Sequence, residues 1–188
     1  MNKSTLKKIL TWAPIVLAAL AVIMIFLPAV VMKFGSDSAN YSGLKVLFGY
    51  SESDGAGKTA KIFTFSFGAL LPYLLVIAGG VLAFLGHKKN NKIMHYVSAG
   101  AFFLATILFF CMVNFVVFGS GALGGATGAA ANLMIELFRD MMDLGAGPIL
   151  SAIFSLLALG AVVVNALWDL IFPEAKAPAV EETPAVEE

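Results

Sequence analysis

The chain has 188 residues, 60% of them hydrophobic, with a mean hydropathy of +0.90. Soluble domains run about 45–50% apolar, so this composition excludes an ordinary water-soluble globule. Zero formal net charge removes any electrostatic case for nucleic acid, and a single cysteine, Cys111, excludes an internal disulfide.

The apolar excess falls into four blocks, each longer than the ~18 residues that mark a membrane-spanning helix. The first predicted span covers 12–32, with Pro14 and Pro28 near its ends. Lys7 and Lys8 precede it, as in a signal peptide. Its apolar run is longer than the usual ~7–15 residues, and no small-x-small cleavage site follows, so a retained signal anchor is expected.

The first connection, 33–62, has strand character. Leu44, Val46 and Phe48 alternate within 41–50, residues 51–58 are turn-rich around Asp54-Gly55, and 59–65 again suits a strand. This predicts a β-hairpin outside the membrane. Asn40-Tyr41-Ser42 is a glycosylation sequon, relevant only in a eukaryotic secretory pathway.

The second span covers 63–85, and Pro72 within it is expected to kink the helix. The connection 87–92 is short and carries Lys88, Lys89 and Lys92. The third span covers 93–118. A glycine and alanine run, 119–128, then leads into a predicted amphipathic helix over 129–144. Asn132, Glu136, Arg139, Asp140 and Asp143 share one face of it. Leu133, Leu137, Phe138, Met141 and Met142 lie on the other, which makes them the candidate partner face. Such a helix is too polar to span, and lies at the membrane surface or caps the bundle. Pro148 opens the fourth span, 148–172. The tail, 173–188, repeats Pro-Ala-Val-Glu-Glu twice and is expected to be disordered in the cytoplasm.

Lysines at positions 3, 7 and 8 and in the second connection favour both termini in the cytoplasm of a plasma-membrane protein. The four lysines of the first connection are diluted by Asp37, Glu52 and Asp54.

Polar groups inside a bilayer are costly, so their placement is informative. Ser151, Ser155, Ala158, Val162, Asn165 and Asp169 share one face of the fourth helix. Gly68, Pro72, Gly79, Ala83 and Gly86 share one face of the second. His95 and Thr106 line up on the third, with Asn114 off that line. The candidate intramembrane polar contacts are therefore His95, Thr106, Asn114, Ser151, Ser155, Asn165 and Asp169. Helix packing explains them better than a conducting path, because Ala158 and Val162 leave the middle of the stripe apolar. His95 and Asp169 fall at similar depth near the cytoplasmic ends of their helices, where they could form a clasp or simply reach the interface.

Gly57-Lys58-Thr59 ends like a phosphate-binding loop, but Glu52 stands where the pattern needs glycine. Cys111 sits among Phe109, Phe110 and Met112 as an inert thiol. Two histidines at separate positions make no metal site, no carboxylate pair is placed for acid–base work, and no cofactor is expected.

In layout, residues 1–172 resemble the claudin-type tetraspan proteins: cytoplasmic termini, a larger first outside loop with strand character, a short basic inner turn and a smaller second outside loop. Claudins carry a Gly-Leu-Trp and two cysteines in the first loop. Here Gly43-Leu44 is followed by Lys45, and the loop has neither Trp nor Cys. The resemblance implies a tetraspan fold and carries over no residue role and no junction function.

The sequence thus predicts an all-α integral membrane protein, an antiparallel four-helix bundle with a small hairpin and an amphipathic surface helix. Its expected role is non-enzymatic: an accessory, scaffolding or assembly component in the lipid bilayer, working against other membrane proteins or itself. The alternative is a small oligomeric transporter or channel, which would be sensitive at Ser155 and Asn165 rather than at Phe138, Met141 or Met142.

Overall fold

The computed structural model describes residues 3–53, 59–89, 91–124 and 126–171. In chain order the elements are α1 (Lys3–Ile23), β1 (Pro28–Phe34), β2 (Asp37–Ser42), α2 (Gly43–Phe48), β3 (Tyr50–Ser53) and β4 (Thr59–Phe63). There follow α3 (Phe67–Lys88), α4 (Lys92–Phe110), α5 (Gly128–Asp140), β5 (Met142–Leu144), α6 (Ala146–Ala166) and α7 (Trp168–Ile171). Helices α1, α3, α4 and α6 are long and apolar enough to cross a membrane.

These four helices form a closed ring in the order α1, α3, α4, α6, with α6 returning to α1. Local signals set their ends. Ser66 caps α3, its hydroxyl accepting from the Ala69 amide at 3.2 Å, and it also donates to the Phe115 carbonyl. Asn91 caps α4 by accepting from the Ile93 amide at 2.9 Å. Small residues then set how closely the helices approach. A Cβ on Gly79 of α3 would lie 3.2 Å from the Phe102 ring of α4, so the ring packs directly on backbone.

The bundle is inverted relative to a soluble one. Ser98, Thr106, Ser151 and Ser155 are buried between helices, while Val81, Phe103, Phe110 and Leu156 are more than half exposed. In water this arrangement would leave a large unpartnered apolar surface; in hydrocarbon it costs nothing.

All elements between α1 and α3, and those between α4 and α6, gather at one end of the bundle. The tight α3–α4 connection lies at the other, with lysines 88, 89 and 92. We call these the sheet end and the basic end. At the sheet end β1 is the centre of a three-stranded antiparallel sheet, β2-β1-β5. β3 and β4 form the second sheet. The segment after α4 lies along β4: the Thr64 amide donates to the Val117 carbonyl at 2.9 Å and the Gly119 amide to the Ile62 carbonyl at 2.8 Å. The first and third connections are thereby knitted into one unit. Tyr41 stands edge-on to Phe63 at 4.9 Å, and Lys45 sits over the Tyr50 ring at 4.0 Å. Burial, and then the nearby Glu52 carboxylate, push the Tyr41 phenol above its ordinary pKa.

Several expectations change in detail. The hairpin is present as β3–β4, but Leu44, Val46 and Phe48 lie on helix α2 rather than on a strand. Gly49, at φ 95°, ends that helix in a conformation other residues avoid, and Val46 and Leu47 are both fully buried. Residues 28–32, read as the end of the first span, belong to strand β1. The third helix stops at Phe110, short of position 118, and the predicted amphipathic helix over 129–144 divides into α5 and strand β5. The Asp54-Gly55 turn, Gly57 and Lys58 of the Gly57-Lys58-Thr59 string and the tail 173–188 lie outside the described residues, and Thr59 opens β4.

Candidate functional site

Three groups of residues carry the chemistry of this molecule: the polar contacts inside the bundle, a cavity at the basic end, and the exposed face of α5.

Inside the bundle the buried hydroxyls of Ser98, Thr106, Ser151 and Ser155 each go to a backbone carbonyl, while the buried Tyr73 hydroxyl of α3 has no hydrogen-bond partner among the described residues. Ser155 on α6 donates to Phe102 of α4 at 2.9 Å, and Thr106 donates to the same carbonyl from one turn along α4, also at 2.9 Å. Ser151 on α6 donates to Ala21 of α1 at 2.8 Å. Ser98 on α4, which the sequence reading passed over, donates to Gly79 of α3 at 2.7 Å. Its signal was available: Ser98 lies three residues from His95 and four from Phe102, on the same helix face. These bonds join α6 to α4, α6 to α1 and α4 to α3. Between helices in lipid each is worth roughly 0.6 kcal/mol, about 1.7 at most. They stitch neighbours together. No hydroxyl among these four is left to line a water path, and Phe102, Val76 and Val162 are almost wholly buried in the middle of the bundle.

Asn114 lies elsewhere. It is exposed in the turn after α4 at the sheet end, where its carbonyl accepts from Arg139 Nη2 at 3.2 Å. His95 and Asn165 are brought together: both line a cavity of about 150 Å³ at the basic end, with Lys7, His87, Lys92 and Trp168. These walls come from α1, α3, α4, α6 and α7. His95 is buried, its Cε1 and Nε2 edge packed against Gly86 of α3, and its Nδ1 has no hydrogen-bond partner among the described residues. Asp169 belongs to α7, and its side chain lies outside the described residues.

Helix α5 has three faces. Ile135 and Phe138 pack onto the protein, with Phe138 against Phe118 at 5.4 Å between ring centres. Asn132, Glu136, Arg139 and Asp140 form an exposed polar face. Leu133, Met134, Leu137 and Met141 form an exposed apolar strip. Of the proposed partner face, then, Leu133, Leu137 and Met141 are uncovered, whereas Phe138 is half-buried and Met142 is buried in β5. Met134 joins the strip because α5 needs only a narrow line of contacts to hold it, which leaves a broad apolar flank free.

Compared with known proteins, the chain matches no family model and no curated protein sequence.

Proposed function

We propose that this chain is a four-span membrane protein of the plasma membrane that acts without catalysis, as an accessory, scaffolding or assembly component. Its basic end faces the cytoplasm, with both termini there, and its sheet end faces outward. The inverted surface supports insertion, since apolar side chains point outward and polar ones inward. The cluster of Lys7, Lys8, Lys88, Lys89 and Lys92 at one end supports the orientation.

The observation that carries the accessory role is the uncovered strip on α5. Leu133 is 60% exposed and Leu137 49%, on a helix held to the bundle by its other apolar flank. A strip at the membrane boundary is suited to the apolar side of another membrane protein, or of a second copy. The filled middle of the bundle and the bonded hydroxyls weigh against the transporter alternative.

A photo-crosslinking residue at Leu137, activated in native membranes, is expected to give an adduct of one defined protein mass. The Leu133→Gln/Met141→Gln variant is expected to lose that adduct while its thermal stability changes by about 0.5 kcal/mol or less. Adducts with lipid alone would contradict the docking role.

A further inference from the structure

We propose that the cavity at the basic end is a binding site for a phosphate-type anion, supplied by the headgroup of an anionic lipid. The proposal rests on the membrane-spanning reading above. Among the described residues, every ionisable side chain lining the cavity is of a basic type: Lys7 from α1, His87 from α3, and Lys92 and His95 from α4. Lysine ammonium groups bind phosphate as mobile point charges. Asn165 adds an amide that can donate to an oxyanion. The volume, about 150 Å³, exceeds the ~30 Å³ of a single water and accommodates a tetrahedral oxyanion.

His95 supplies independent evidence that the site is built to be filled. It is only 8% exposed, and Nδ1 has no partner among the described residues. A buried ring nitrogen without a hydrogen bond is uncommon and calls for a ligand or an ordered water to complete it. Its position is fixed from the far side, where a Cβ on Gly86 would lie 3.3 Å from Cε1 and Nε2.

The surroundings favour an amphiphile over a free ion. A second, wholly apolar cleft of about 70 Å³ shares His95 and Ala166 with the cavity and is walled by Tyr96, Ala99, Val162 and Leu167. A headgroup phosphate among the lysines would place its chain along that cleft, between α4 and α6. Basic pockets between spanning helices on the cytoplasmic side suit anionic lipid headgroups on physical grounds.

The test uses the full chain purified in a neutral detergent, titrated with dioctanoyl phosphatidylglycerol, dioctanoyl phosphatidylcholine or inorganic phosphate. Binding is read by native mass spectrometry and by thermal unfolding. The phosphatidylglycerol is expected to bind saturably at one site and to raise the unfolding temperature, and the phosphatidylcholine is expected to do neither. Lys7→Gln/Lys92→Gln is expected to weaken phosphatidylglycerol binding by about tenfold or more. Lys88→Gln/Lys89→Gln removes the same charge from outside the cavity, and is expected to stay within about twofold of the parent. All four lysines are exposed, so both variants retain the packed core.

Inorganic phosphate binding as tightly as the lipid supports the anion site and assigns its source to a free ion. Equal losses in the two double variants would mean diffuse attraction to surface charge, and would overturn the site. Saturable lipid binding that appears only in Asp169→Asn would mean that the carboxylate is the occupant, and would also overturn it. Failure of the membrane reading looks different: the chain would stay soluble without detergent before any lipid is added.

Discussion

Replacing Gly145 with valine is expected to leave no folded protein. The backbone there, φ −77° and ψ 172°, is one that any residue adopts, so conformational freedom is not the reason for glycine. Space is the reason. A Cβ at this position would run into the Pro28 carbonyl oxygen and lie 2.7 and 2.8 Å from the carbonyl carbons of Pro28 and Ala29. All of these are backbone atoms of β1, which is paired on one side to β2 and on the other to β5. The Gly145 amide also donates to the Ala29 carbonyl at 2.9 Å. No flexible side chain can move aside, so the strand must shift or the entry to α6 must detach. Overpacking of ordinary cores costs about 1–3 kcal/mol, and forced backbone movement costs more. Gly145→Ala already carries the offending atom and is expected to fail too. Gly100→Ala is the control: it lies within α4 with nothing within 4 Å of its Cβ position, so a gain of about 0.5–1 kcal/mol is expected. Thermal unfolding in detergent, with size-exclusion to detect aggregation, measures all three. A Gly145→Val protein indistinguishable from the parent would mean that β1 and the start of α6 do not meet as described.

Phe102→Ala is expected to produce the largest loss within the bundle, about 3 kcal/mol, at the low end of what phenylalanine truncation costs in soluble cores. The low end applies because an unfolded helix in lipid is already in an apolar medium, so the transfer part of the usual cost falls away and the packing part remains. Phe102 is fully buried, its ring lies on Gly79 of α3, and its carbonyl receives the hydroxyls of Ser155 and Thr106. Truncation therefore opens a void where α3, α4 and α6 converge. Its neighbour provides the contrast. Phe103 is 56% exposed on the outer surface of α4, and Phe103→Ala is expected to change stability by less than about 1 kcal/mol in a bilayer. Unfolding measured in lipid bicelles separates the two. Equal losses would contradict the inward and outward assignment of the α4 faces.

The four long apolar helices were legible because each apolar run is long and unbroken enough to cross a bilayer, where only helices satisfy the backbone. The inward faces were legible because small and polar residues recur at helical spacing: Pro72, Gly79, Ala83 and Gly86 of α3 and Ser151, Ser155, Ala158 and Val162 of α6 are all buried between helices. What the pattern could not reveal depends on partners distant in sequence. Pro28 to Met32 is as apolar as the span before it, and becomes a strand because Met142 to Leu144 pairs with it from the other side of α5. Leu44, Val46 and Phe48 alternate like a strand, yet Val46 and Leu47 are buried side by side on a short helix. The basic cavity escaped notice for a related reason. Lys7 and Asn165 are far in the chain from the stretch that holds His87, Lys92 and His95, and the lysines served in the sequence only as charges that orient the termini.

Impermeant-maleimide labelling of intact cells tests the central claim, a bundle that crosses the membrane with its sheet end outside. In a Cys111→Ser background, Ser38→Cys places a thiol on exposed strand β2, and Lys89→Cys places one in the exposed basic connection. The account predicts that the Ser38→Cys protein labels in intact cells, and that the Lys89→Cys protein labels only after the membrane is permeabilised. Labelling of both in intact cells, or the reverse order, would contradict it.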